Sequence, residues 1–226
     1  MRGTVVFDLD GTLAETAPDV MATLNVLLEA EGLAALPVSA ARNLVGAGAR
    51  ALIERGFRAS GVPLPPERLD RLFQAFLAHY LDHVADESFL FPGVEAALAA
   101  LAGKGHLLAV CTNKPERHSR ALIEKLGVMD HFGAIAGRDT FAFCKPDPRH
   151  LTETIRLAGG DIGRAVMVGD SRTDIDTARA AGLPVVAVTF GYTDTPVDQL
   201  GPDAVIGHFD ALPVEIARLM PKDVSS

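Results

Sequence analysis

The feature that most constrains the fold is a series of short apolar runs separated by helix-like stretches. The runs occupy residues 4–9, 107–111, 134–136, 165–168, 185–188 and 204–206. Helix-like stretches at 95–102, 116–126, 149–157 and 173–180 separate most of them. This alternation predicts an α/β fold, with a Rossmann-like parallel sheet buried between helices on both of its faces.

One interval, between the first apolar run at 4–9 and the helix-like stretch that begins at 95, breaks that alternation, because it contains no convincing strand pattern. Helices are expected there at 19–31, 39–44, 49–60 and 66–84, separated by Gly- and Pro-containing breaks. We therefore predict a Rossmann-like core formed by residues 1–13 and 86–226, and a small helical cap domain at 14–85, inserted after the first strand. The cap would lie above the carboxyl ends of the strands, where parallel sheets bind ligands.

Composition and charge narrow the choice of partners. The 226 residues carry 21 basic and 29 acidic side chains, a net charge of −8, so nucleic-acid binding is not expected. Two cysteines cannot form a disulfide framework, and no apolar run is long enough for a signal peptide or a membrane span. We expect a cytoplasmic protein, monomeric or homodimeric, that does not act at a membrane.

Two aspartates come directly after the apolar residues TVVF at 4–7. Asp8 and Asp10 flank Leu9, and strand alternation places their side chains on the same side of the chain. Gly11 then permits a sharp turn. A capping aspartate in a strand-to-helix turn is the ordinary explanation, but two acids crowded at a strand end fit that explanation less well.

Three further polar clusters contain Thr112 and Asn113, Lys145, and Asp170 with Asp174. Each alone could be a helix cap or a surface turn. Three of the four clusters lie at ends of separate strands, so they are expected to meet at one edge of the sheet.

The side chains in these clusters suit phosphoryl transfer. Asp8, Asp170 and a backbone carbonyl are hard oxygen ligands of the kind that Mg²⁺ binds. Lys145 supplies a positive charge and Thr112 a hydroxyl group for the phosphoryl oxygens. Together with Mg²⁺, Lys145 would make the site locally positive on an acidic protein, which an anionic substrate requires.

The four clusters resemble the four motifs of the haloacid dehalogenase (HAD) superfamily in order and spacing. The matching segments are FDLDGTL at 7–13, the Thr-Asn pair at 112–113, the lysine of KPDP at 145–148 and GDSRTD at 169–174. The resemblance spans residues 4–190 and implies a Mg²⁺-dependent phosphatase with an aspartyl-phosphate intermediate. Dehalogenases of this superfamily lack an acid two residues after the nucleophile, so Asp10 argues against dehalogenation.

The resemblance also implies roles for individual residues. Asp8 would be the nucleophile, and Asp10 would protonate the leaving group and then activate water. Asp8, the carbonyl of Asp10 and Asp170 would hold Mg²⁺. Asp174 would orient a metal-bound water or Lys145.

In the same scheme Thr112, Asn113 and Lys145 would bind the phosphoryl group.

The cap is expected to choose the substrate. The segment 45–50, VGAGAR, resembles a cap loop of the phosphoglycolate phosphatases, and FPGV at 91–94 and KPDP resemble the same group. Gly46 and Gly48 would bring backbone N–H groups to the ligand, and Arg50 would pair with a carboxylate. A solvated Arg50 in a plain helix–helix turn is the alternative. Glu15 departs from the aspartate usual in this group.

The expected reaction is therefore hydrolysis of 2-phosphoglycolate to glycolate and phosphate, with a small phosphorylated metabolite as the only partner. Three alternatives remain open. The chain could hydrolyse another small phosphometabolite, such as a sugar phosphate, a nucleotide or pyrophosphate. It could be a phosphoglucomutase-like phosphotransferase, or a binding protein on the same scaffold, although no catalytic residue is missing.

Overall fold

The computed structural model describes residues 2–38, 48–193 and 195–220. In this part of the chain, eight β-strands and eight α-helices of at least eight residues are found. The strands are β1 (Thr4–Phe7), β2 (Ala14–Glu15), β3 (Phe89–Leu90), β4 (Leu107–Cys111), β5 (Ala134–Ala136), β6 (Ala165–Gly169), β7 (Val185–Val188) and β8 (Ala204–Ile206). The helices are α1 (Ala17–Ala30), α2 (Ala49–Ala59), α3 (Pro66–Asp82), α4 (Val94–Gly103), α5 (Glu116–Lys125), α6 (Pro148–Leu157), α7 (Arg172–Ala180) and α8 (Leu212–Leu219).

The main sheet has six parallel strands in the order β5-β4-β1-β6-β7-β8. All four residues of β1 are buried, and side chains from its two faces enter two separate apolar clusters. Phe7 belongs to one cluster and Val6 to the other. Burial on both faces explains why these strands are continuous apolar runs in the sequence. The predicted α/β class and all six predicted strands are confirmed.

The helices α1, α2 and α3 pack against one another, apart from the main sheet. Leu69, Leu72, Phe76 and Tyr80 form the buried stripe of α3, at the spacing of an amphipathic helix. The helix α1 begins at Ala17, two residues before the predicted start, since Pro18 suits the first turn of a helix. The helix predicted at 39–44 lies outside the described residues.

A second, two-stranded sheet pairs the segment between β1 and α1 with the segment that precedes α4. Strands β2 and β3 pair antiparallel, with Ala14 opposite Leu90 and Glu15 opposite Phe89. The expectation that no strand lies between the first apolar run and residue 95 is therefore wrong for both β2 and β3. Two-residue strands carry too short an alternation to be detected in a sequence.

A buried carboxylate ties the returning segment to α1. Asp19 accepts hydrogen bonds from the backbone N–H groups of Glu87 and Ser88 and from the hydroxyl of Ser88, at 2.6–3.1 Å. These bonds satisfy two backbone donors near β3. These hydrogen bonds therefore hold the start of α1 and the segment before β3 together.

No helix in the described ranges is long and apolar enough to cross a membrane.

Candidate active site

The predicted polar clusters converge at the carboxyl edge of the main sheet. Asp8 directly follows β1, Thr112 follows β4, and Asp170 follows β6, and these three strands are neighbours. All three residues line one cleft, and residues of α1, α2 and α3 form its opposite wall. Parallel strands bring these loops together because their carboxyl ends all lie at one edge.

Lys145 is buried between two carboxylates, one of which, that of Asp8, lines the cleft. Its Nζ atom is 2.6 Å from Oδ1 of Asp174 and 2.9 Å from Oδ1 of Asp8. The side chain is 2% exposed, and burial alone would lower the pKa of the ammonium. The charges of Asp174 and Asp8 outweigh that cost and raise its pKa, so Lys145 remains a cation.

Asp174 is held entirely by protein groups. Its Oδ1 accepts from Lys145, and its Oδ2 accepts from the backbone N–H groups of Asp170 and Ser171 and from the Ser171 hydroxyl. The Ser171 bonds form the capping box that begins α7. A Cβ atom on Gly169 would lie 2.3 Å from Asp174 Cβ, so this close approach requires glycine. Asp174 is thus placed to orient Lys145, one of the two roles expected for it.

Asp170 is fixed by two other parts of the chain. Its Oδ1 accepts from the Thr12 hydroxyl at 3.2 Å, and its Oδ2 accepts from the backbone N–H of Tyr192 at 2.6 Å. The phenol oxygen of Tyr192 accepts from the N–H groups of Thr16 and Ala17 at the start of α1. Tyr192 therefore connects Asp170 to the crossing that leads into the helical layer.

The carboxylates of Asp8, Asp170 and Asp174 form a group that could hold a metal ion. One oxygen from each lies within 4.8 Å of the others. Burial raises the pKa of Asp8 to about 6, although the positive charge of Lys145 acts in the opposite direction. Burial and the negative charge of Asp174 raise the pKa of Asp170 well above its usual range. Buried oxygen ligands that repel one another in this way fit a hard divalent cation, whose charge would relieve the repulsion.

Asp10 has a partner that the sequence did not indicate. Its Oδ1 accepts from the Nζ of Lys114 at 2.9 Å, and the same Nζ donates to the hydroxyl of Tyr80 at 2.6 Å. Lys114 lies directly after the predicted Thr112–Asn113 pair, but the residues alone assigned it no role. Tyr80 continues the apolar stripe of α3, so the residue pattern alone indicates helix packing.

Thr112 and Asn113 lie in the cleft wall with protein partners of their own. The Thr112 hydroxyl accepts from the backbone N–H of Lys114 at 3.2 Å, which leaves its proton available to a ligand. The Asn113 amide donates to the carbonyl of Lys145 at 3.0 Å and so steadies the loop that carries this lysine. Their phosphate-binding role stays a prediction.

The residues predicted in the cap loop divide into three cases. Gly46 lies outside the described residues. Gly48 lines the cleft with φ at +86°, a conformation that suits glycine. Arg50 pairs with the exposed Asp70 and is not part of the cleft wall. Its pairing with a substrate carboxylate stays a prediction, and the structure gives it a different partner.

Relatives resemble this chain over almost its whole length. A phosphoglycolate phosphatase from Mesorhizobium japonicum is 58% identical over 96% of this chain and 96% of its own length. One from Caulobacter vibrioides is 48% identical over 96% of this chain and 92% of its own.

A solved structure and a family model agree with these relatives. The crystal structure of a predicted phosphoglycolate phosphatase from Haemophilus somnus 129PT superposes with a TM-score of 0.87 at 28% identity, covering 96% of this chain and 98% of that one. The model of the haloacid dehalogenase-like hydrolases matches residues 3–182. With its catalytic motifs brought together at one sheet edge, this chain belongs to the haloacid dehalogenase-like hydrolase family.

Proposed function

We propose that the protein is a phosphatase that hydrolyses 2-phosphoglycolate to glycolate and phosphate. The observation that carries this proposal is the contact of Lys145 with both Asp8 and Asp174, next to a cleft that Asp8, Asp10 and Asp170 line. This arrangement provides a nucleophile, a fixed cation and a neighbouring acid for a phosphate ester. The names of the relatives at 58% and 48% identity support the choice of substrate.

In the first step, an oxygen of Asp8 attacks phosphorus and forms the aspartyl phosphate while the bond from phosphorus to the glycolate oxygen breaks. Asp10 donates its proton to that leaving oxygen. In the second step, water attacks the phosphorus of the aspartyl phosphate, Asp10 takes the proton of that water, and the carboxylate of Asp8 is regenerated with release of phosphate.

Lys145, Thr112 and Asn113 would bind the phosphoryl oxygens. The ammonium of Lys145 is held between Asp8 and Asp174, so it needs little rearrangement to stabilise negative charge on the transferring group. The free proton of the Thr112 hydroxyl supplies a neutral donor. Asp174 acts through Lys145, whose position it sets.

Mg²⁺ would be held by the carboxylates of Asp8 and Asp170 and by the carbonyl of Asp10. When bound, it would supply positive charge for the phosphoryl oxygens and lower the repulsion between the carboxylates. Asp174 is left out of this set in our proposal, because its Oδ1 is paired with the ammonium of Lys145 and its Oδ2 accepts from three protein donors, whereas each oxygen of Asp170 accepts from one.

Three broader expectations remain predictions. They are the division into a core at 1–13 and 86–226 and a cap at 14–85, the cytoplasmic location, and the monomeric or homodimeric state.

The proposal is tested by phosphate release from 2-phosphoglycolate beside a sugar phosphate, a nucleotide and pyrophosphate, each with Mg²⁺ and with EDTA. We expect turnover that needs Mg²⁺ and strongly prefers 2-phosphoglycolate. Mg²⁺-dependent turnover of the other esters alone would keep the chemistry and discard the substrate. Interconversion of sugar phosphates without phosphate release would favour the phosphotransferase.

A further inference from the structure

Lys114 is a buried cation in the wall of the cleft. Its side chain is 4% exposed, and its Nζ contacts Oδ1 of Asp10 and the hydroxyl of Tyr80. The same atom lies 4.3 Å from the centre of the Tyr80 ring. A core loop supplies the ammonium and α3 supplies the aromatic ring, so the cation is held from both sides of the cleft.

The ammonium of Lys114 has one N–H group left for a ligand. A lysine carries three donors, and its hydrogen-bond partners within the described residues are Asp10 and Tyr80 alone. Burial raises the pKa of Tyr80 well above its usual range, so the phenol stays neutral and does not offset the charge of the lysine. The position beside Lys114 can therefore still bind one anionic group of a ligand favourably.

The surrounding wall is apolar. Leu52, Phe73, Phe76 and Leu77 of α2 and α3 line the cleft around this ammonium. The other cation of this wall is the exposed Arg138, which forms no ion pair within ranges 2–38, 48–193 and 195–220. A single buried ammonium in an apolar wall matches one negative charge better than the double charge of a second phosphate.

The short distance between the leaving oxygen and the carboxylate of the substrate places that carboxylate near Lys114. In the proposed reaction the leaving oxygen must lie within hydrogen-bond distance of Asp10, roughly 3 Å. In the phosphate ester of a 2-hydroxy acid, a single carbon separates that oxygen from the carboxylate. A group that close to the leaving oxygen comes within hydrogen-bond reach of Lys114, whose Nζ is 2.9 Å from Asp10 Oδ1.

We propose that Lys114 binds the substrate carboxylate, with Tyr80 holding the ammonium in place. This inference rests on the proposed function and makes the enzyme selective for phosphate esters of short 2-hydroxy acids. Neutral esters of the same size lack the anion and offer the third N–H of Lys114 at most an uncharged acceptor, so they bind more weakly. Lys114 then sets specificity at the site where Asp10 handles the proton.

The test compares 2-phosphoglycolate with 2-hydroxyethyl phosphate, which has a neutral hydroxyl group in place of the carboxylate. Lys114→Met should lower the ratio of kcat/KM for 2-phosphoglycolate to kcat/KM for 2-hydroxyethyl phosphate at least about 20-fold, mainly by raising KM for 2-phosphoglycolate, because loss of the contact with Asp10 affects both esters alike. Tyr80→Phe should lower the preference for 2-phosphoglycolate over 2-hydroxyethyl phosphate by about fivefold. The matched control is Lys104→Met, since Lys104 is exposed and outside the cleft, and it should leave both esters unaffected.

The outcomes separate the two proposals. A wild-type enzyme that hydrolyses 2-hydroxyethyl phosphate but not 2-phosphoglycolate overturns the proposed substrate. Equal losses on both esters in Lys114→Met mean that the lysine acts only through Asp10, and they overturn the role of Lys114 alone. If Lys114→Met does not fold, the preference of Tyr80→Phe decides, and an unchanged preference there overturns the inference.

Discussion

Lys145 and Asp174 form a buried ion pair in which Nζ and Oδ1 are 2.6 Å apart and neither side chain is more than 2% exposed. The two residues come from different loops, 29 positions apart in the chain. A buried charge without its partner is strongly destabilising, so this pair contributes to folding as well as to the position of the lysine.

Asp174→Asn should therefore weaken both stability and turnover. The amide retains the shape but leaves Lys145 with Asp8 as its remaining anionic partner, and the free energy of unfolding should fall by about 3 kcal/mol. Urea unfolding and kcat on 2-phosphoglycolate measure the two effects. Asp176→Asn on the same helix is the control: Asp176 is 47% exposed, and its loss should cost less than about 0.5 kcal/mol. Equal effects of the two changes would contradict the role assigned to Asp174.

Asp8→Asn should abolish turnover and leave the protein folded. The amide has the size of the carboxylate but cannot form the acyl phosphate, so kcat should fall by at least about 10⁴-fold. Phosphate release measures the rate, and circular dichroism checks the fold. Asp86→Asn, at an exposed position paired with His83, should keep wild-type turnover. Substantial activity in Asp8→Asn would rule out the covalent mechanism.

If Lys114 is the partner of the substrate carboxylate, Arg50→Ala should change kcat/KM for 2-phosphoglycolate by less than about threefold, because Arg50 is not part of the cleft wall and pairs with the exposed Asp70. The same assay with an aryl phosphate gives the reference for losses that do not involve the carboxylate. A loss above tenfold that is confined to 2-phosphoglycolate would restore the pairing of Arg50 with the substrate that its place in the cap loop predicts.

The stability of the protein should fall in mild acid because of His150. Its Nδ1 accepts from the backbone N–H of Lys145 at 3.1 Å, and its Nε2 lies 3.1 Å from the carbonyl of Gly137. Burial and the charge of Lys145 lower the pKa of His150 from 6.5 to about 4. Below pH 6.5 the unfolded chain takes up a proton that the folded chain refuses, so stability is lost from pH 6.5 down to about pH 4, by about 3 kcal/mol in all.

Urea unfolding at pH 7, 5.5 and 4.5 measures this loss. His150→Asn keeps an acceptor for the Lys145 N–H but does not titrate, so its stability should depend less on pH than that of the wild type. The comparison cancels the contribution of the acidic groups at the sheet edge, which both proteins share. Identical pH dependence in the two proteins would exclude His150 as the source.

The sequence by itself determined the main sheet and the meeting of the catalytic motifs. Strands buried on both faces must be apolar throughout, so each is visible as a run, and polar residues such as Asp8 and Asp170 that end such runs share one edge of a parallel sheet. The buried face of α3 was visible in the sequence for the same reason, since the apolar residues of one helix face recur at regular spacing along the chain. Both patterns involve residues close together in the chain, so one sequence is enough to show them.

Only the tertiary structure decided which groups surround each functional side chain. Lys114 is 104 residues from Asp10, and Tyr192 is 22 residues from Asp170, and neither spacing carries a periodic signal. The sequence placed Tyr80 correctly in a buried stripe but could not show that its hydroxyl reaches a lysine of another loop. The charge next to Asp10 is therefore set by contacts between loops and helices that are distant in the sequence, because the strength of a polar contact depends on distance and burial, which exist only in the folded chain.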